Sequence, residues 1–92
     1  MPRYLIEREI PGAGRMTADE LQAISAKSNQ VLAGMAGRAQ WVHSYVTADA
    51  ITCVYLAENE DAVREHADCG GFPVTGIREV AAVIDPATGE PA

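Results

Sequence analysis

The spacing of apolar residues changes along the chain, and each change marks a predicted element. Residues 3–10 partly alternate between apolar and polar side chains and end at Pro11-Gly12, which predicts a strand closed by a turn. Steps of three and four residues follow, at Leu21, Ile24, Ser28, Val31 and Met35. This is the spacing of one helix face and predicts a first helix from Ala18 to Met35.

Both predicted helices have recognisable ends. Thr17-Ala-Asp-Glu20 is a capping box, in which the Thr17 hydroxyl and the Glu20 carboxylate satisfy backbone N–H groups of the first turn. Asn59 is a suitable N-cap for a second helix from Glu60 to about Cys69, and the following Gly70-Gly71 can supply a left-handed stop.

Three further segments read as strands. Residues 40–47 and 51–57 are rich in β-branched and aromatic side chains and are separated only by residues 48–50, which predicts a hairpin. Its turn can hold two or three residues, and a slip of one residue changes which side chains share a face with His43, so the register stays open. Residues 77–84 predict a last strand before Asp85-Pro86.

The order of these elements predicts the fold class. Strand, helix, hairpin, helix and strand form the βαββαβ pattern of a ferredoxin-like α+β domain, a four-stranded antiparallel sheet with both helices on one face. We expect one domain over residues 1–86 and a disordered tail over residues 87–92. Because so short a domain buries a small share of its surface, a homodimer that covers another face is expected.

The net charge of the chain limits the classes of partner that it is expected to bind. A net charge of -6 would repel a phosphate backbone, so nucleic acid is not an expected partner. The first ten residues carry charges such as Arg3 and Glu7, which argues against a signal peptide, and no stretch approaches the roughly 20 apolar residues of a membrane span. A cytoplasmic protein with no membrane partner is predicted.

His66 is the first candidate for chemistry. It falls within the apolar stripe of the second helix, formed by Ala62, Val63, Ala67 and Gly70, so its ring is expected to be shielded from water. Two interpretations stay open. The ring is either a structural histidine satisfied by one hydrogen bond, or a metal ligand or acid–base group.

A row of aromatic residues is the second candidate. Strand alternation predicts that Trp41, His43 and Tyr45 share one face of the sheet. That face is either core or dimer interface, or the wall of a pocket. Only in an orientation towards the helices do His43 and His66 border one shared site, and the sequence leaves that orientation open.

Several segments together resemble a known bacterial family, domain of unknown function 4242, some of whose members are described as nickel-binding. The matching segments are residues 3–12, 41–46, 53–55, 64–67, 71–73 and 77–80. The resemblance implies a ferredoxin-like fold that dimerises through its sheet. It also implies a role connected with nickel, with His43 and His66 inside matching motifs, and so favours the prediction that the two histidines border one shared site.

Two functions from different classes follow. The first is a small metal-binding protein for nickel or another late transition metal, with His43 and His66 as imidazole ligands. Two histidines do not fill a coordination shell, so Cys53, Glu7, water or a second subunit would complete it.

The second function is a small-molecule enzyme or ligand-binding dimer with no resident metal. Its pocket would be shaped by four aromatic residues, Trp41, Tyr45, Tyr55 and Phe72. A histidine would there act as a general base or orient the substrate. The residues leave open whether any catalysis takes place.

Overall fold

A computed structural model describes residues 1–91 and contains the helices and strands in the predicted order. Their bounds are β1 Arg3–Glu9, α1 Ala18–Ala33, β2 Ala39–Val46, β3 Ala50–Ala57, α2 Glu60–Gly70 and β4 Gly76–Glu79. The four strands form one antiparallel sheet in the order β2-β3-β1-β4. This is the ferredoxin-like α+β arrangement, so the predicted fold class is confirmed.

The two faces of the sheet differ in what lies on them. The covered face, on the helix side, carries buried residues of the two central strands, Tyr4, Ile6, Arg8, Ile51, Cys53, Tyr55 and Ala57. The open face, on the other side, carries Leu5, Glu7, His43, Tyr45, Thr52, Val54 and Leu56 by the same register. The core therefore lies between the covered face and the helices.

The helix ends follow from local sequence. The Thr17 hydroxyl accepts a hydrogen bond from the backbone N–H of Glu20, and the Glu20 carboxylate accepts one from the N–H of Thr17, which confirms the capping box. The helix ends at Ala33, before the predicted Met35, because the chain turns through Gly34. Asn59 caps α2 as predicted, and Gly71 ends it with a φ of 68°.

The last strand is shorter than predicted. Residues 77–84 were expected to be extended and paired, but β4 ends at Glu79, and the Val80 N–H donates one further bond to the Arg3 carbonyl. Continuing this register brings Ala81 opposite Pro2, which has no backbone N–H to donate to the sheet. Val83 and Ile84 consequently remain exposed.

The segment predicted to be a disordered tail contains one short 3-10 helix, Pro86–Gly89. Asp85 and Thr88 cap it reciprocally, and all of its residues are exposed. Ala92, the end of the predicted tail, lies outside the described residues.

A β-bulge in β2 changes which residues share a face. Trp41 pairs with Tyr55 and His43 pairs with Val54, so the extra residue between them reverses the alternation. The predicted row of Trp41, His43 and Tyr45 on one face is therefore wrong. Trp41 lies on the covered face, where its indole N–H donates to the Ser44 hydroxyl at 2.9 Å. His43 and Tyr45 lie on the open face.

Candidate functional site

A cavity of about 480 Å³ lies between α1 and the covered face. Side chains from β1, α1, β2, β3 and the segment after α2 line it, and most of them are apolar. Three of the four predicted pocket residues, Trp41, Tyr55 and Phe72, are in this lining. The fourth, Tyr45, lies on the opposite side of the sheet, because the bulge moved it there.

The way α1 packs explains why a cavity remains. The predicted apolar stripe is present, but Ser28 is the buried residue of this helix. Leu21 and Ile24 line the cavity and stay half-buried. The helix therefore keeps an incompletely covered apolar stripe beside the cavity.

His66 belongs to a short buried hydrogen-bond network behind the cavity wall. Its side chain is only 1% exposed, which confirms that the ring is shielded. Its Nε2 lies 3.0 Å from the Ser28 hydroxyl, which lies 3.2 Å from the Tyr55 hydroxyl. The ring also contacts Phe72, with centroids 5.2 Å apart. Nδ1 has no hydrogen-bond partner among residues 1–91.

The protonation state of His66 follows from its surroundings. Burial, and then the positive charge of Arg8, lower the pKa of the ring from 6.5 to about 4. The imidazole is therefore neutral at pH 7 and carries one N–H. Because an unpaired buried N–H is rarer than an unsatisfied acceptor, we place the hydrogen on Nε2, where it donates to Ser28.

Arg8 is the site residue that our sequence reasoning did not single out. It is 4% exposed, its Nη1 donates to the Pro73 carbonyl at 2.9 Å, and its Nε lies 3.4 Å from the Cys53 sulfur. No carboxylate among residues 1–91 forms an ion pair with it. The signal was present in β1, because Arg8 continues the buried alternation of Tyr4 and Ile6.

The four predicted metal ligands fall into two pairs on opposite faces of the sheet. Cys53 and His66 lie on the covered side, while Glu7 and His43 lie on the open face. One chain therefore does not bring His43 and His66 into a shared site. Within residues 1–91, no three His, Cys, Asp or Glu side chains lie close enough to hold a metal ion together.

The open-face pair is accessible to solvent. The His43 side chain is exposed and its ring contacts Tyr45 edge-on, with centroids 4.9 Å apart. Glu7 is half-buried and lies 3.5 Å from the Arg78 guanidinium. Within residues 1–91, no third side chain of the metal-binding types lies close enough to complete a site with them.

Fold and site together define a small ferredoxin-like α+β protein with a cavity between its first helix and the sheet and a separate exposed histidine. The family model of SCO4226-like nickel responsive proteins matches residues 4–80, and the chain belongs to this family. The resemblance to domain of unknown function 4242 is compatible with this family. The matching family model has a different name, so the name expected from the sequence is not confirmed. The nickel association expected from the resemblance is thus supported at the level of the family.

Comparison with solved structures agrees on the fold. The crystal structure of SCO4226 from Streptomyces coelicolor A3(2) matches with a TM-score of 0.75 at 15% sequence identity, covering 89% of this chain and 99% of that chain. At this identity the likeness concerns the fold alone. No match was found among curated proteins. No helix within residues 1–91 has the length and apolar character needed to cross a membrane.

Proposed function

We propose that this protein binds nickel as a homodimer, with His43 as a ligand on the open face. The observation that carries this proposal is the exposure of His43 on a sheet face that no helix covers. Imidazole is a suitable ligand for nickel, and the family is described as nickel responsive. The histidine ligands themselves stay a proposal.

The ligand set requires more than one chain. Nickel in N and O sites commonly takes at least four ligands, whereas a single chain offers no cluster of three such side chains within residues 1–91. A twofold axis near His43 would bring two imidazoles together, because residues of an isologous interface meet their own copies. Glu7 on the same face, or water, would complete the set.

The composition of the open face favours a second copy as its partner. Its middle contains the half-buried side chains of Leu5 and Leu56 around the buried Val54, beside Tyr45, which is 57% exposed. Charges of both signs, Glu7 and Arg78, lie on the same face. An apolar middle with complementary charges suits self-association.

The covered side suits a cation less well. Arg8 lies against Cys53 and is close enough to lower the pKa of His66. Its guanidinium would repel a metal ion in this low-dielectric interior. The proposal therefore assigns nickel to His43 and not to the Cys53 and His66 pair.

Replacing His43 is expected to weaken nickel binding at least tenfold, because an imidazole ligand is lost. Calorimetric titration of untagged protein with a nickel salt measures this for wild type and His43→Ala. His66→Gln is the matched control, which removes the other imidazole and should retain nickel affinity. Loss of nickel binding in His66→Gln, with retention in His43→Ala, would contradict the assignment.

Wild-type protein is expected to have twice the 9.8 kDa mass of one chain at micromolar concentration. The double variant Tyr45→Glu with Leu56→Glu should be monomeric, because it places charges in the apolar middle of the open face. Val83→Glu changes an exposed residue outside that face and serves as the control. Light scattering coupled to size exclusion gives the masses, and a monomeric wild type would refute the dimer.

A second function is favoured by the cavity. We propose that the cavity binds a small molecule, because its volume and aromatic walls of Trp41, Tyr55 and Phe72 fit an ordinary ligand pocket.

A cytoplasmic location and the lack of a nucleic-acid partner stay predictions from sequence.

A further inference from the structure

We propose that the cavity binds an amphipathic carboxylate, with the anionic group at Arg8 and the apolar part along the walls towards Trp41. This inference rests on the proposed small-molecule function of the cavity and adds the chemical class of the ligand. The class follows from the hydrogen bonds of Arg8, the charges around the cavity, the Tyr55 hydroxyl and the apolar lining.

Arg8 is a buried cation whose partners are all neutral. Burying a charge is costly unless the charge is paired, and the Pro73 carbonyl and Cys53 sulfur do not neutralise it. Its Nη2 makes no hydrogen bond to residues 1–91, and this atom keeps some exposure to solvent. Since Arg8 lines the cavity, we infer that this nitrogen is open to it.

The charges around the cavity have one sign. Arg8 and Lys27 line it, and no Asp or Glu of residues 1–91 does, although the whole chain has a net charge of -6. The Lys27 ammonium lies 5.8 Å from the centre of the Phe72 ring. A local positive field in an acidic protein selects an anion over a cation or a neutral molecule.

Tyr55 can supply a second donor near Arg8. Burial raises the pKa of the Tyr55 hydroxyl, and the positive charge of Arg8 is close enough to offset part of this rise. With the His66 hydrogen on Nε2, the ring donates to Ser28, and the Ser28 hydroxyl can then donate to the Tyr55 oxygen. The Tyr55 O–H cannot donate to Arg8, because a guanidinium has no acceptor. This proton therefore remains for a ligand, so Tyr55 and Arg8 together match the two oxygens of a carboxylate.

The remaining walls exclude a simple inorganic anion as the best ligand. Beyond Arg8 the cavity extends along Ile10, Leu21, Ile24 and Trp41. Phosphate alone would leave these apolar walls in contact with water. A molecule with an apolar body and one carboxylate removes that surface from water and neutralises Arg8 as well.

A pair of probes that differ in charge but hardly in shape tests the inference. We would titrate wild-type protein with 4-phenylbutyrate and with its neutral amide, following nitrogen-15 NMR spectra. The indole N–H of Trp41, the one tryptophan of the chain, reports on the cavity. We expect the carboxylate to bind at least tenfold more tightly than the amide and to shift this signal.

Variants of Arg8 then assign the preference to the guanidinium. Arg8→Met should bind acid and amide equally, Arg8→Lys should keep part of the preference, and Arg64→Met, an exposed arginine of α2, should keep all of it. If Arg8→Met fails to fold, Arg8→Lys still tests the guanidinium, and Lys27→Met, which removes the other cation of the lining, should keep most of the preference.

Each other outcome overturns a defined part of the proposal. Equal binding of acid and amide by wild type would refute the carboxylate and leave the cavity as a ligand site. Shifts confined to the open face, or no binding of either probe up to millimolar concentration, would refute the cavity function as well.

Discussion

Lowering the pH from 7 to 5 is expected to reduce the free energy of unfolding by about 2 kcal/mol through His66 alone. The pKa of its ring is about 4 in the folded protein, against 6.5 for the model value. Between these two values the unfolded chain binds more protons, so stability falls as the pH falls. Above about pH 6.5 both states are neutral and the effect disappears.

Urea unfolding at pH 7, 6 and 5, at one protein concentration, measures this loss. His66→Gln replaces the ring by an amide that does not titrate, so the variant should lose about 2 kcal/mol less than wild type over this range. Gly34→Ala is the control, because it neither adds nor removes an ionisable group, and it should keep the pH dependence of the wild type. Equal pH dependence in wild type and His66→Gln would show that His66 is not buried as a neutral ring.

Replacing Gly70 by alanine is expected to destabilise the protein by about 1–3 kcal/mol, the usual cost of overpacking a well-packed site. A β-carbon on Gly70 would overlap with the Phe72 ring, which must then move. Phe72 contacts His66 and lies 5.5 Å from the Arg8 guanidinium, so its displacement disturbs the cavity wall. We therefore also expect weaker binding of 4-phenylbutyrate.

Gly34→Ala is the matched control for this substitution. Gly34 follows α1, has a φ of -88°, and a β-carbon there would meet only the Val31 carbonyl oxygen at an ordinary 3.5 Å. Thermal unfolding of both variants, with the NMR signal of the Trp41 indole, compares the two sites. An unchanged midpoint and unchanged ligand affinity in Gly70→Ala would mean that Phe72 does not form a fixed wall.

Residues of β3 contribute to both proposed sites. Alternate residues of β3 point to opposite sides, so Cys53 and Tyr55 face the cavity while Val54 lies beside His43. The nickel site and the carboxylate site would thus be separated by the thickness of the sheet. Each can be tested with a variant that leaves the other intact, such as His43→Ala or Arg8→Lys.

The sequence alone determined features that depend on neighbours along the chain. The capping box of Thr17, the cap at Asn59 and the apolar stripe that buries His66 are set within one or two helical turns. Their spacing is therefore readable from the residues. The order of these elements in turn led to the ferredoxin-like fold.

Only the tertiary structure decided how the faces of the sheet are used. The bulge at Val42 arises where β2 pairs with β3, and no local sequence pattern predicts it. Because of this bulge, Trp41 and His43 lie on opposite faces, contrary to the expected alternation. Arg8 looked like one more charged strand residue until packing enclosed it beside Cys53. Register and burial depend on contacts between residues far apart in the chain. For this reason the prediction that His43 and His66 share a site within one chain was wrong, and Arg8 was not identified as a cavity residue from the sequence.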